Sequence, residues 1–192
     1  MKYNKLILSL LSLFLVLPVW AQETYRVNNK NSRIIVKGTS SLHDWEMIAE
    51  EMTAELRISK DGNQLNTINN ASFSMESENL LSDNSIMNNK THDALKSGKY
   101  EKIRFDLESV SGIQGTGGIF SGTASGNLFI AGTTKKVYFP FKGSIDKTGI
   151  VTISGQEKLK MTEFGVDPPT AMLGTLKTGD EIEVKFDLEF IK

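Results

Sequence analysis

The amino-acid sequence predicts an all-β domain, an antiparallel sandwich or barrel with one short helix in a crossing loop. Three observations carry this. Apolar and polar residues alternate with a period of two near the carboxyl end. The same alternation recurs many times upstream, and turn-forming residues separate the repeats.

In chain order, Ile34, Val36 and Gly38 alternate with Arg33, Ile35 and Lys37. Met52, Ala54, Leu56 and Ile58 alternate with Thr53, Glu55 and Arg57, and Asp61-Gly62 supplies a turn. Ala71, Phe73 and Met75 form the next row, then Ile103, Phe105 and Leu107. Gly126, Leu128 and Ile130 follow, then Val137, Phe139 and Phe141, and Ile153 and Gly155 lead towards Leu159 and Met161. The clearest row closes the chain: Ile182, Val184, Phe186, Leu188 and Phe190 alternate with Glu181, Glu183, Lys185, Asp187 and Glu189. A helix would scatter those five apolar residues around its circumference, whereas a strand places them on one face. Lys177-Thr178-Gly179-Asp180 reads as the turn before that strand, and the glycines from Gly112 to Gly126 read as a flexible hairpin. Met87 to Lys96 breaks the pattern with Met87, Thr91, Ala94 and Leu95 near helical spacing. Ser85 or Asp83 is the expected cap and Gly98 the expected end.

Residues 1–21 read as a cleaved export signal. Lys2 and Lys5 precede an apolar run from Leu6 to Leu17, Pro18 breaks it, and Val19-Trp20-Ala21 offers small residues for cleavage before Gln22. The run is shorter than the roughly 20 residues that span a bilayer. The expected mature chain, 22–192, is one domain without an integral membrane anchor, periplasmic or secreted. The whole chain carries a net charge of −1 and no cysteine. Neither sign dominates, so nucleic acid is not an expected partner. Thiol catalysis, thiolate metal sites and disulfides are excluded, and the core alone must hold the fold.

Catalytic patterns are weak. In Gly122-Thr123-Ala124-Ser125-Gly126 the serine stands one place too late for a nucleophile elbow. No phosphate-binding loop occurs, and Gly115-Thr116-Gly117-Gly118 lacks dinucleotide spacing. His43-Asp44 and His92-Asp93 offer too few ligands for a metal site unless they meet in space. Most carboxylates fall on wet strand faces; Glu163 and Asp167, flanking Phe164-Gly165, are the exceptions in position. No catalytic residue, metal or cofactor is therefore expected.

Binding is the stronger reading. Aromatic and methionine residues crowd the apolar rows, and small residues (Gly38, Ala54, Gly126, Gly155) are interleaved. An eight-stranded barrel has room either for its own side chains or for one small ligand. Each buried methylene is worth about 0.8 kcal/mol, so one isoprene unit gives roughly 4 kcal/mol gross. Several units exceed the practical affinity ceiling of about 20 kcal/mol before immobilisation costs are subtracted. An apolar tunnel therefore suffices, and no charged anchor is demanded. The candidate lining residues are Ile34, Val36 and Leu56; Phe73, Met75 and Phe105; Leu128, Ile130, Phe139 and Phe141; and Met161, Phe164, Met172 and Phe186.

Several segments carry a family resemblance. They are Ser32–Gly38, Leu42-His43-Asp44-Trp45, Asn88–Leu95 continuing to Ile103-Arg104-Phe105, and Thr162–Val166. The best is Gly126-Asn127-Leu128-Phe129-Ile130-Ala131-Gly132-Thr133-Thr134-Lys135-Lys136-Val137. In these the chain resembles the YceI-like proteins over nearly all of 22–192. The resemblance implies an extended lipocalin-like antiparallel barrel of about eight strands. It also implies a periplasmic protein that binds a polyisoprenoid, such as a quinone tail, in the barrel. Thr39-Ser40-Ser41 stands where many members have a histidine, and Pro168–Leu173 forms a distinct loop, so head-group contacts are not carried over. The expectation is a non-catalytic lipid carrier, store or protector. The alternatives are an exported interaction module with a filled barrel and loop contacts, or an enzyme using His43 with Asp44 or Glu163. Oligomeric state stays open, a homodimer included.

Overall fold

The alternating rows fold as antiparallel strands in a computed structural model that describes residues 22–171 and 175–192. The export-signal expectation for 1–21 and the lining expectation for Met172 fall outside the described residues. In chain order the elements are β1 (Glu23–Val27), β2 (Arg33–Ser40), β3 (Trp45–Ala49), β4 (Thr53–Asp61), β5 (Gln64–Glu76) and α1 (Ser85–Leu95). They continue with β6 (Lys102–Thr116), β7 (Ile119–Ile130), β8 (Thr133–Ile145), β9 (Val151–Lys160), β10 (Thr170–Ala171) and β11 (Leu176–Ile191).

Eight strands close a ring in the order β1, β4, β5, β6, β7, β8, β9, β11 and back to β1. Closure rests on a short pairing, Arg26 with Ile191 and Val27 with Phe190. The rest of the same β11 edge pairs with β2, and β2 pairs with β3. The switch falls at an asparagine-rich 3-10 turn, Asn29–Asn31, between β1 and β2. Such residues favour turns over ladders because their side chains bond to nearby backbone and polar groups. Here Asn28 and Asn31 each donate to the Glu189 carboxylate, at 2.7 and 2.9 Å, and the Asn28 N–H donates to the Glu189 carbonyl at 2.8 Å. The turn is thus clasped to β11 without orphaned groups. β3, at the edge of this extension, bridges through Ile48 to Leu81, and α1 packs Met87, Ala94 and Leu95 against the interior.

The inward rows form two clusters. Tyr25, Ile58, Leu65, Phe120, Ile145 and Val151 fill one end of the barrel. Met47, Met52, Leu80, Leu95, Leu128 and Phe164 belong to the other, beneath α1. Outward faces carry cross-strand ion pairs such as Lys136–Glu108 at 2.6 Å and Lys158–Glu181 at 2.7 Å, which are exposed and contribute little energy.

Three local expectations are corrected. Neither Ser85 nor Asp83 caps the helix: the Asn84 side chain accepts from the N–H groups of Ile86 and Met87. Gly98 does not end it; Lys96 takes the left-handed conformation, with φ of 55°. Two reverse bonds hold it there, from Lys96 N–H to Asp93 and from Ser97 N–H to His92. The Lys177–Asp180 stretch lies inside β11 as a bulge against β2, where the register shifts between Thr178 and Ile182. The glycines from 112 to 126 do form the expected hairpin: β6 and β7 pair as far as Thr116–Ile119 and turn at Gly117-Gly118.

Candidate functional site

The inward rows enclose a cavity of about 420 Å³. Ligand pockets commonly fall between roughly 300 and 1,000 Å³. The last strand contributes its whole apolar row, Ile182, Val184, Phe186, Leu188 and Phe190. Opposite it stand Leu56 from β4, Phe73 and Met75 from β5, and Phe105 from β6. Leu128 and Ile130 of β7, Phe139 and Phe141 of β8, and Ile34 and Val36 of β2 complete the barrel wall. Met161 and Phe164, in the 3-10 turn after β9, also line the space. The inward aromatics Phe73, Phe105, Phe139 and Phe186 are only partly buried, which for side chains inside a closed wall means that they border empty volume. The interior is therefore not filled by its own side chains.

What keeps it open is the packing of rings against glycines. At Gly126 a Cβ would overlap the Phe105 ring, and at Gly155 it would overlap the Phe186 ring. Gly38 accommodates Trp45 in the same way. These glycines do not themselves supply the hollow, as their small size suggests from sequence. They let large rings lie back against the sheet. Phe105, Phe139 and Phe186 then meet edge to face, with centroids 5.6 and 5.8 Å apart, as a belt around the lumen.

One end of the cavity opens. Cavity-lining residues that are also exposed mark the mouth: Leu42, His43, Lys90, Lys160, Thr170 and Lys177. They come from the β2–β3 turn, α1, the end of β9, and β10–β11. Backbone and side-chain bonds hold the mouth together. Lys90 Nζ donates to the Thr170 carbonyl at 2.8 Å, and Ser41 and Lys177 exchange bonds of 2.9 and 3.0 Å. The Thr162 N–H and hydroxyl both donate to Asp180, which holds that carboxyl below its usual range and ties the 3-10 turn to β11.

The acid-base set weighed from sequence is not assembled. His43 lines the mouth, with Nδ1 2.7 Å from the Asp44 carbonyl, but neither Asp44 nor Glu163 lines the cavity. His92 lies on α1, with Nε2 3.3 Å from the Leu80 carbonyl. Among the described residues, no three His, Asp or Glu side chains converge as metal ligands would. The one acid on the inward row of β9 is Glu157, opposite Val184. The β8–β9 ladder has ended by then, at Phe141–Gly155, and Glu157 does not line the cavity. Sequence reasoning leaves out Trp45, Met47 and Leu80 as lining residues. Trp45 could have been found from its partner across the hairpin, Gly38.

An antiparallel ring with a hollow apolar interior and one polar mouth defines the lipocalin-like class of β-barrel. Within that class the chain belongs to the YceI-like family, whose domain matches residues 25–190. Solved structures share the fold at low identity. BcnA from Burkholderia cenocepacia aligns with a TM-score of 0.65 and 16% identity, over 85% of this chain and 98% of that one. A polyisoprenoid binding domain from Saccharophagus degradans, implicated in plant cell wall breakdown, aligns with a TM-score of 0.66 and 11% identity, over 86% and 97%. The Campylobacter jejuni YCEI protein aligns with a TM-score of 0.55 and 19% identity, over 72% and 81%. No curated protein sequence matches the chain.

Proposed function

We propose that the barrel binds one long apolar lipid, a polyisoprenoid or the tail of an isoprenoid quinone, as a non-catalytic carrier, store or protector. The observation that carries this is the apolar cavity bounded by the aromatic belt. A cavity of roughly 150 Å³ lined by hydrocarbon stays dry and takes up small apolar molecules. The larger apolar space here favours a hydrocarbon occupant over water. Family membership supports the reading, as does the polyisoprenoid binding domain among the structures of like fold. In this reading Ile34, Phe73, Phe105, Phe139 and Phe186 contact the chain of the ligand, and residues 1–21 direct export.

The test uses the exported protein, whose mass also reads whether it begins at Gln22. Organic extraction and mass spectrometry should release a prenyl lipid. Trp45 lines the cavity and is the one tryptophan within 22–192, so its fluorescence should be quenched as a prenyl quinone is titrated in. Phe139→Asp puts a charge into the belt and should weaken binding at least ten-fold, about 1.4 kcal/mol. Circular dichroism checks that the variant is folded. No co-purified lipid together with no saturable quenching would refute the proposal.

A further inference from the structure

An apolar ligand held in this way cannot reach the cavity through water at any useful concentration, because its hydrocarbon is too costly to hydrate. The mouth bears on how it arrives. Leu42, at the tip of the β2–β3 turn, is 67% exposed, and it also lines the cavity. Its neighbour Ser41 is bonded to Lys177, Lys177 pairs with Thr170, and the Thr170 carbonyl receives Lys90. One helical turn before Lys90, on the same side of α1, Ile86 is also 67% exposed. The rim is therefore a continuous set of contacts with an apolar tip at each end and two lysines between. Among the described residues neither lysine has a carboxylate within ion-pair distance. Lys160 adds a third cation to the cavity lining; Asp180 stands near it but is taken up by the Thr162 N–H and hydroxyl, and Asp44 and Asp83 do not line the cavity. The one carboxylate in the lining, Glu55, is bonded to Arg57.

Single exposed apolar residues are ordinary. Ile119, 70% exposed beside the β6–β7 turn, is one, and it lines no cavity. The rim differs in two respects. Its apolar tips flank the opening of an apolar cavity, and the exposed charged side chains in its lining are the lysines Lys90, Lys160 and Lys177, which complement anionic head groups. We propose that the rim docks the barrel, mouth down, on an anionic lipid bilayer, so that the ligand passes between membrane and cavity without crossing water. The proposal rests on the lipid-binding reading above, and it names the surface from which that lipid is exchanged.

Flotation of the 22–192 protein with vesicles tests it. Vesicles of phosphatidylglycerol and phosphatidylethanolamine should carry the protein at low salt, and phosphatidylcholine vesicles should carry at least five-fold less. Raising the salt to half molar should release most of the bound protein, since lysine contacts to a charged surface are screened. Ile86→Asp should reduce flotation about ten-fold and Lys177→Gln about three-fold, whereas Ile119→Asp should match the unchanged protein. Loading of a prenyl quinone from detergent micelles, followed at Trp45, is measured beside it. Ile86→Asp should load from micelles normally while losing uptake from vesicles. Flotation that ignores lipid charge, or that survives Ile86→Asp, overturns the docking proposal. Failure of the unchanged protein to load from micelles sinks the lipid-binding reading, and flotation still decides docking on its own.

Discussion

Gly155 holds the Phe186 ring against the wall, and the size of the lumen depends on that ring staying there. A methyl group at position 155 would overlap the ring and crowd the Pro140 carbonyl. Either the ring swings into the lumen or the strands part. Gly155→Ala should therefore cost about 1–3 kcal/mol, the usual range for overpacking. It should also weaken prenyl-quinone binding several-fold. Denaturant unfolding reads the first effect and Trp45 quenching the second. Wild-type values for both would mean that the ring has room to move without narrowing the cavity. The same logic separates Gly155 from Ala54, whose small side chain borders the open space directly.

Among the elements, α1 depends most on its cap. Eleven residues make a helix too short to persist alone, so packing and the Asn84 cap must hold it in place. Asn84→Ala removes both side-chain bonds to the first turn and should lower stability by about 1 kcal/mol. Thermal unfolding measures this, and the loss should be partly restored by Asn84→Ser or Asn84→Asp. How much of each element is legible in the sequence follows from length and regularity. β11 announces itself because it holds a long unbroken alternating row, whereas β9 is harder to read because its inward row includes Gly155 and Glu157. β1 and β3 have five residues each, too few to establish a period. β3 also carries Ile48 on the face opposite its buried residues Met47 and Ala49, so an apolar residue breaks the alternation. The bulge at Thr178–Ile182 mimics a turn, since both use glycine and polar residues. The identity of the wall residues is legible for a similar reason, as alternation alone decides which side chains face in. The hollow is not legible. The same rows could close on a solid centre, and what separates the two outcomes is the lie of Phe105 and Phe186 over glycines on neighbouring strands.

At the scale of the molecule, the two ends of the barrel differ. The filled end contains Tyr25, fully buried, whose hydroxyl donates to Glu23 at 2.6 Å. Burial, and then the bond to Glu23, push this phenol well above its ordinary value of about 10. The folded state therefore keeps the proton at a pH where the unfolded chain has lost it. This contribution is fully present below pH 10 and is lost as the pH rises from there through the raised value. Stability should thus decline above about pH 10, and Tyr25→Phe should flatten that decline. Melting temperatures between pH 8 and 11.5 would show it, and an unchanged slope in Tyr25→Phe would assign the decline to other groups. Glu23 contributes in the opposite sense: its carboxyl is held low, chiefly by the Tyr25 bond, so its share is lost as acid protonates it.

The clasp between the asparagine-rich turn and Glu189 has a kinetic consequence. Asn28 and Asn31 stand 161 and 158 positions from Glu189, and the β1–β11 pairs that close the ring, Arg26–Ile191 and Val27–Phe190, are more distant still. Topologies dominated by such distant partners reach their native state on the order of milliseconds to seconds, because the searching chain must lose so much freedom first. Only the completed circle has an inside, so a ligand of the kind proposed above should bind only once this pairing has formed.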